Sequence, residues 1–391
     1  MKIAIIVRKL NIKGGTQRQA VCLARELKKM GHKVKFYTFI YSQDCYEDIL
    51  KNFEIVCLSG HKTHPNYFIN LFFENKNSKK LASLIDKDTD ILNPHDQVSY
   101  KVAAYFKKRI KKIPSAWMMN DMPTKTWSFW RDSQFDPDLK ASFLKKFVYW
   151  LVDFYDYFKF IRHQDEIIVL DNRDRGWVKK YFKKDAVVIR SGLDLESNSY
   201  IERGSLQGKK VKLLMNGIFF PHRRFEDGIL AVKILKDKNQ DVELVITGDH
   251  KNNQKYYKKL VDLVDGLGLG GDVSFAGKVS DEEFKNYYEE GSIFIFPNHL
   301  QSWGLVVFEA IARGLPVIVS KTAGASEVLT DHENSILVEP KSPEEIAAAV
   351  EELVDNPDLY KKLSKEGRRF VEKNISWEKC AKRMLEIFSN P

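Results

Sequence analysis

Thirteen short apolar runs, separated for most of the chain by stretches of helical spacing, constrain the fold of this sequence more than any other feature. They fall at residues 2–7, 33–39, 54–58, 90–93, 115–119, 166–171 and 187–190, and again at 211–216, 241–248, 272–277, 292–297, 316–320 and 335–338. Helical patterns such as residues 16–30, 225–238, 254–267 and 343–355 lie between them. Runs of this kind mark strands covered on both faces, which means parallel, doubly wound α/β sheets. At 391 residues the chain is about twice a typical domain. The polar stretch "ESNSYIERGSLQGKK", residues 196–210, reads as a linker between two Rossmann-like domains, 1–195 and 211–375. Ligands in such sheets bind at the carboxyl ends of strands, here expected to face a central cleft.

Composition removes several classes. The four cysteines, Cys22, Cys45, Cys57 and Cys380, form no C-x-x-C pair, which argues against a zinc site or a disulfide framework and fits a reducing compartment. The opening "MKIAIIVRKLN" has an apolar run too short for a signal peptide and reads as a first strand. No run reaches the roughly 18 to 20 residues of a membrane span, so a soluble, cytoplasmic protein is expected. Lys and Arg number 63 against 53 Asp and Glu, a net charge of +10 that suits nucleic acid, anionic lipid or phosphorylated small molecules. No nucleic-acid signature accompanies it, and no nucleic-acid partner is expected. The dinucleotide fingerprint and the Walker pattern are absent. "GLGLGG", residues 266–271, follows a helix and precedes a strand, the wrong order, and reads as a helix cap and turn. Asp88-Thr-Asp90 and Asp136-Pro-Asp138 read as surface turns rather than metal-binding pairs.

One residue is out of character with its surroundings. In "QSWGLVVFEAIARGLPVIV", residues 301–319, Glu309 sits among Val306, Val307, Phe308, Ala310, Ile311 and Ala312. A carboxylate there costs several kcal/mol unless something hydrogen-bonds or neutralises it. A buried arginine such as Arg313 is one candidate partner.

The block from Val273 to Leu329 contains Gly277, Pro297, Trp303-Gly304, Glu309-Ala310, Gly314, Pro316 and then Gly324 to Glu327. In this it resembles the retaining glycosyltransferases of family 4, also described as glycosyl transferases group 1, which have the GT-B fold. Weaker similarities cover most of the chain: "KGGTQRQAVCLARELKKMGHKV" near the start, and "EIIVLDNRDRGWVKKYF" with "VVIRSGLDLES" at the end of the first half. The resemblance implies a hexosyltransferase that uses a nucleoside diphosphate sugar, UDP- or GDP-hexose. No cofactor or metal is then required, the nucleotide sits in the second domain, and the last helix, about 376–391, crosses back to the first. It places Glu309 on the ribose hydroxyls, and a vicinal diol can satisfy a buried carboxylate without neutralising it. The family's first glutamate, eight residues earlier, is Gln301 here, which can hydrogen-bond a sugar but cannot serve as a base.

In "MNGIFFPHRRFEDG" Ile218 stands where the family has an arginine, while Arg223 and Arg224 fall at or beside its lysine position. Either arginine, with Gly217 beside them, is a candidate for the diphosphate, or pairs on the surface with Glu226 or Asp227. The N–H groups at Gly304, Leu305 and Val306 add a helix N-terminus for an anion. Gly14 and Gly15 let a ligand approach the backbone, and Gly324 and Glu327 fit a loop around the donor sugar. On the acceptor side, the family's strand-end histidine is replaced by Asn120 and Asp121, and His95 follows another strand. The catalytic candidates are Gln301, Asp121 and Arg224.

The acceptor is a glycan, lipid-linked or small-molecule hydroxyl, as in polysaccharide or glycolipid biosynthesis. A UDP-sugar epimerase and a non-catalytic partner of another transferase are the rival readings. Phe147, Trp150, Leu151, Phe154, Phe158 and Ile161 recur at helical spacing, and the first reading of that stripe is core packing. With the basic run Lys107, Lys108, Arg109, Lys111 and Lys112 it would alternatively suit peripheral contact with an anionic membrane. Oligomeric state is left open.

Overall fold

The computed structural model describes residues 1–135, 139–251, 253–300 and 303–389. Asp136-Pro-Asp138 and Gln301 lie outside the described residues. The chain divides into two compact units. One holds residues 1–131, 139–192 and the C-terminal segment from Trp377, and the other is built mainly of residues 193–376.

In the first unit, β1 (Lys2–Leu10), β2 (Lys33–Tyr41), β3 (Glu54–Cys57) and β4 (Ile91–Pro94) form a parallel sheet in the order β3-β2-β1-β4. Bridges Leu92↔Ser115 and His95↔Met118 continue it into β5 (Ala116–Met118), β6 (Glu166–Val169) and β7 (Val187–Val188). β4 is buried along its whole length, as a strand covered on both faces must be. Helix Gly15–Lys29 packs with the last helix, Trp377–Ser389. The latter buries Trp377, Cys380, Ala381, Met384 and Phe388, one stripe of an amphipathic helix.

The second unit is a six-stranded parallel sheet of β8 (Val211–Asn216), β9 (Val242–Thr247), β10 (Val273–Gly277), β11 (Ile293–Phe296), β12 (Val317–Ser320) and β13 (Ile336–Val338). Its order is β10-β9-β8-β11-β12-β13. The direction of winding reverses between β8 and β11, as it does between β1 and β4 in the first unit. A crevice opens beyond the carboxyl ends of strands at such a reversal.

Two expectations are corrected. Residues 196–210, read as a linker, group with the second unit. Arg203 donates to the backbone oxygens of Tyr288, Glu289, Gly291 and Arg313, which ties the segment onto the second unit. The aromatic stripe is not core either. Helix Phe143–Lys159 buries only Asp156, while Phe147, Trp150, Leu151, Phe154 and Phe158 are exposed. Only Ile161, beyond its end, joins the core. Among the described residues no helix is long and apolar enough to cross a membrane.

Candidate active site

The second unit's reversal point is built from the segments that follow β8 and β11. After Asn216 and Gly217 the chain makes one 3-10 turn, Pro221–Arg223. The Arg223 side chain folds back over Gly217, where a β-carbon would stand 3.2 Å from its Nε. A side chain there would push the arginine away by a few tenths of an ångström, so glycine lets it lie close. Asn298, just past β11, clasps the same residue. With its amide oriented to satisfy both atoms, its oxygen accepts from Nη1 of Arg223 at 2.8 Å and its nitrogen donates to the Arg223 carbonyl at 3.1 Å. The arginine's Nε is shut off from solvent and has no partner. No carboxylate among the described residues pairs with this guanidinium, and burial alone lowers its pKa to about 10. A cation held at a sheet's carboxyl edge without a counter-charge is suited to an anionic ligand.

Arg224 has the opposite fate. It adopts left-handed backbone, φ 55°, as the cap of helix Phe225–Asp237. Its side chain reaches Glu226 at 2.7 Å and Asp227 at 3.0 Å. Both acids are buried, so Arg224 is their counter-ion, and its guanidinium is engaged within the protein rather than left open as the sequence reading expected. The neighbouring loops are knitted together: the His299 amide donates to the His222 carbonyl at 2.8 Å, and its ring bonds the Thr322 hydroxyl at 3.0 Å.

Helix Leu305–Ala312 starts at Gly304, whose φ of 90° and close approach to the Phe296 ring exclude any side chain. Leu305 and Val306 are half-buried at its first turn. Glu309 is buried, and the Tyr288 hydroxyl donates to its Oε2 at 3.3 Å and to the Val306 carbonyl at 3.2 Å. Arg313 is not its partner. That guanidinium bonds Asn198 and the Ser197 carbonyl and lies over the Tyr288 ring. Further along, Gly324 is buried at the start of a 3-10 turn and Glu327 is exposed at its end.

The first unit carries a cavity of about 260 Å³ at its own reversal point, lined by Arg8, Lys9, Gln17, Asp96, Asn120 and Asp121 among others. Gly14 and Gly15 begin the adjoining helix, and only the flexible end of Gln17 would meet a β-carbon at Gly14. Asp121 is half-exposed and meets Arg131 at 3.3 Å. Asn120 Nδ2 is closed off from solvent and has no partner in the structure. His95, expected on the acceptor side, is fully buried. Its Nε2 meets Asn93 Oδ1 at 2.9 Å, and burial lowers its pKa to about 3, so it is a neutral structural ring. Its neighbour Asp96 reaches the cavity instead, with left-handed backbone at φ 69° and bonds from the Arg8 and Val98 amides. The sequence pattern contained no signal for Asp96, Asn298 or His299.

Two family models match the chain, one described as Glycosyltransferase Family 4 over residues 13–197 and one as Glycosyl transferases group 1 over residues 197–370. An uncharacterized glycosyltransferase of Methanocaldococcus jannaschii is 24% identical over 396 residues, covering 99% of this chain and 98% of the relative. A second from that organism is 26% identical over 226 residues, 58% of this chain and 60% of the relative. In fold, the chain is similar to the crystal structure of Anabaena HepE in complex with UDP and glucose, with a TM-score of 0.75 at 14% identity and full coverage of both chains. The chain belongs to the group 1 glycosyltransferases and has the GT-B fold.

Proposed function

We propose that the protein transfers a hexose, with retention of anomeric configuration, from a UDP- or GDP-sugar to a hydroxyl acceptor. The observation that carries this reading is Arg223, a guanidinium held over Gly217 at the sheet's reversal point that no carboxylate among the described residues pairs with. A diphosphate supplies the missing charge. When the bond from the anomeric carbon to the β-phosphate oxygen breaks, the electron pair stays with the phosphate. Arg223 and the N–H groups that open helix Leu305–Ala312 stabilise that charge, an electrostatic role that needs no metal. Glu309 takes the ribose diol, and Gly324 and Glu327 lie toward the sugar. The acceptor, a glycan, lipid-linked or small-molecule alcohol, occupies the first unit's cavity with its hydroxyl toward Asp121 and Asn120. The crystal structure of HepE with UDP and glucose supports a nucleotide-sugar donor, since that protein shares this fold.

Calorimetric titration with UDP, GDP and ADP tests the donor site. Binding of one diphosphate by the wild type and its loss in Arg223→Ala is the expected outcome. A folded protein that binds none of the three overturns the reading. Gln301 favours one second reading, a sugar-nucleotide-binding protein with little turnover. Release of free nucleoside diphosphate from donor and acceptor, or its appearance only in Gln301→Glu, separates the two.

A further inference from the structure

Helix Phe143–Lys159 exposes an apolar face that the fold does not use. Phe143 is 86% exposed, Leu144 69%, Trp150 51% and Phe154 48%, while Phe147, Leu151 and Phe158 are also open to solvent. Their rings run along one side: Phe147 stacks on Trp150 at 5.9 Å, Trp150 meets Phe154 at 5.5 Å, and Phe154 meets Phe158 at 4.3 Å. Seventeen residues make a rod roughly 26 Å long at about 1.5 Å each. The helix has two acids, and both turn inward. Asp153 accepts from the amides of Lys125 and Thr126 at 2.6 and 2.9 Å, and Asp156 accepts from the Tyr100 hydroxyl and pairs with Lys101. No acid of this helix is open to solvent in the way its rings are, while Lys145, Lys146 and Lys159 are exposed around the stripe.

Positive charge continues past the C-terminal end. The Arg162 guanidinium stands 5.2 Å from the Phe158 ring. Burial first, then the charges of Arg162, Lys107, Lys108 and Lys184, hold His163 below its ordinary pKa, so these bases crowd one edge. Lys184 donates to the Arg162 and Gln164 carbonyls and also lines an open depression with Lys179, Lys180, Lys183 and one acid, Asp185, which pairs with Arg175.

We propose that this face lies on an anionic lipid bilayer, its rings in the interface and the basic edge against the headgroups. An interfacial helix pairs a large apolar face with lysine and arginine at its borders and carries no outward acid, which is the pattern here. A second copy of the chain is a poor occupant. A two-fold contact would bring Lys145 and Lys146 of one copy against basic groups of the other, and among the described residues neither acid of this helix faces outward to match them. The inference is independent of the donor chemistry.

The test is cosedimentation of the full chain with vesicles of phosphatidylcholine and phosphatidylglycerol, and with phosphatidylcholine alone, at about 0.1 M salt. Binding is expected to the anionic vesicles only, and to weaken at least tenfold in Trp150→Glu/Phe154→Glu and in Lys145→Glu/Lys146→Glu. The replaced side chains are exposed, so both variants should keep the wild-type circular dichroism and UDP or GDP affinity. Absence of vesicle binding, or unchanged binding by Trp150→Glu/Phe154→Glu, overturns the proposal. A dimer in solution that the same variant dissociates, without vesicle binding, assigns the face to a second copy instead and also overturns it.

Discussion

Replacing Arg223 by methionine separates the cost of a buried cation from its use. Burial lowers its pKa from the ordinary guanidinium value to about 10, and at about 1.36 kcal/mol per unit, keeping it charged at pH 7 costs the folded state roughly 3 kcal/mol. The folded value lies below the unfolded one, so the cost is present in full below about pH 10 and fades above it. Part of the residue still touches water, which reduces the figure to about 1.5 kcal/mol. Methionine removes that cost but forfeits the 2.8 Å bond from the charged guanidinium to Asn298, worth about 1.5 kcal/mol or somewhat more. The two nearly cancel, whereas truncating a large, well-satisfied buried side chain costs about 1–3 kcal/mol. Nucleotide affinity, by contrast, loses a desolvated charge pair, about 2–4 kcal/mol or roughly thirtyfold to a thousandfold. Thermal melts with and without UDP or GDP, together with calorimetry, read both quantities on one sample. A variant that melts near the wild type but gains no protection from nucleotide is the expected result. A strongly destabilised variant with unchanged nucleotide affinity would refute the argument and make Arg223 structural.

Arg224→Ala should behave in the opposite way: it strands the buried Glu226 and Asp227 and costs about 3 kcal/mol of stability in a denaturant titration, while nucleotide affinity changes little. Glu309→Ala should weaken the bare nucleoside diphosphate about tenfold to a hundredfold by calorimetry. Gln301→Ala should leave that affinity alone and lower turnover in a donor-release assay, and the reverse pattern would mean that the donor lies the other way round. His95, lowered to about pKa 3, stays neutral in the folded chain while the unfolded chain protonates below about pH 6.5. Stability should therefore fall with acidification through that window, by about 2 kcal/mol at pH 5, and His95→Gln should flatten the fall. Equal pH slopes for the two proteins would count against a buried neutral ring.

The sheets were legible because both faces of each strand are covered, so the strands appear as bare apolar runs; β11 and β12 are buried at every position. Glu309 was legible for a related reason, as a charge inside a helix that is otherwise apolar on nearly all sides. The stripe on helix Phe143–Lys159 was misread because 3.6-residue spacing records only that one face is apolar. It holds no information on whether protein or something else covers that face. The supposed linker failed similarly. Within the polar residues 196–210, Arg203 satisfies backbone carbonyls of the second unit, and polarity of that kind looks the same in sequence as solvation. His95 and Asp96 show the limit at single-residue resolution. Both follow β4, and the left-handed turn at Asp96 carries one side chain to the cavity while its neighbour stays in the core.

The adjacent arginines sharpen the point, because nothing in "HRRFED" distinguishes them. The 3-10 turn ends at Arg223 and the backbone changes hand at Arg224, so two successive side chains leave in different directions. Arg224 is directed forward onto Glu226 and Asp227, which sit in the first turn of helix Phe225–Asp237, where negative charge favours the helix dipole. Those acids would otherwise be the natural counter-ions for any cation at this corner. With Arg224 occupying them, Arg223 is turned back over a glycine and held by the neutral amide of Asn298, which fixes its position without cancelling its charge. A single arginine at this turn could not satisfy the helix acids and present a charge to a ligand at once. Under the proposed function the doublet divides the two tasks, and it is the geometry of one left-handed residue that decides which arginine pairs with the helix acids.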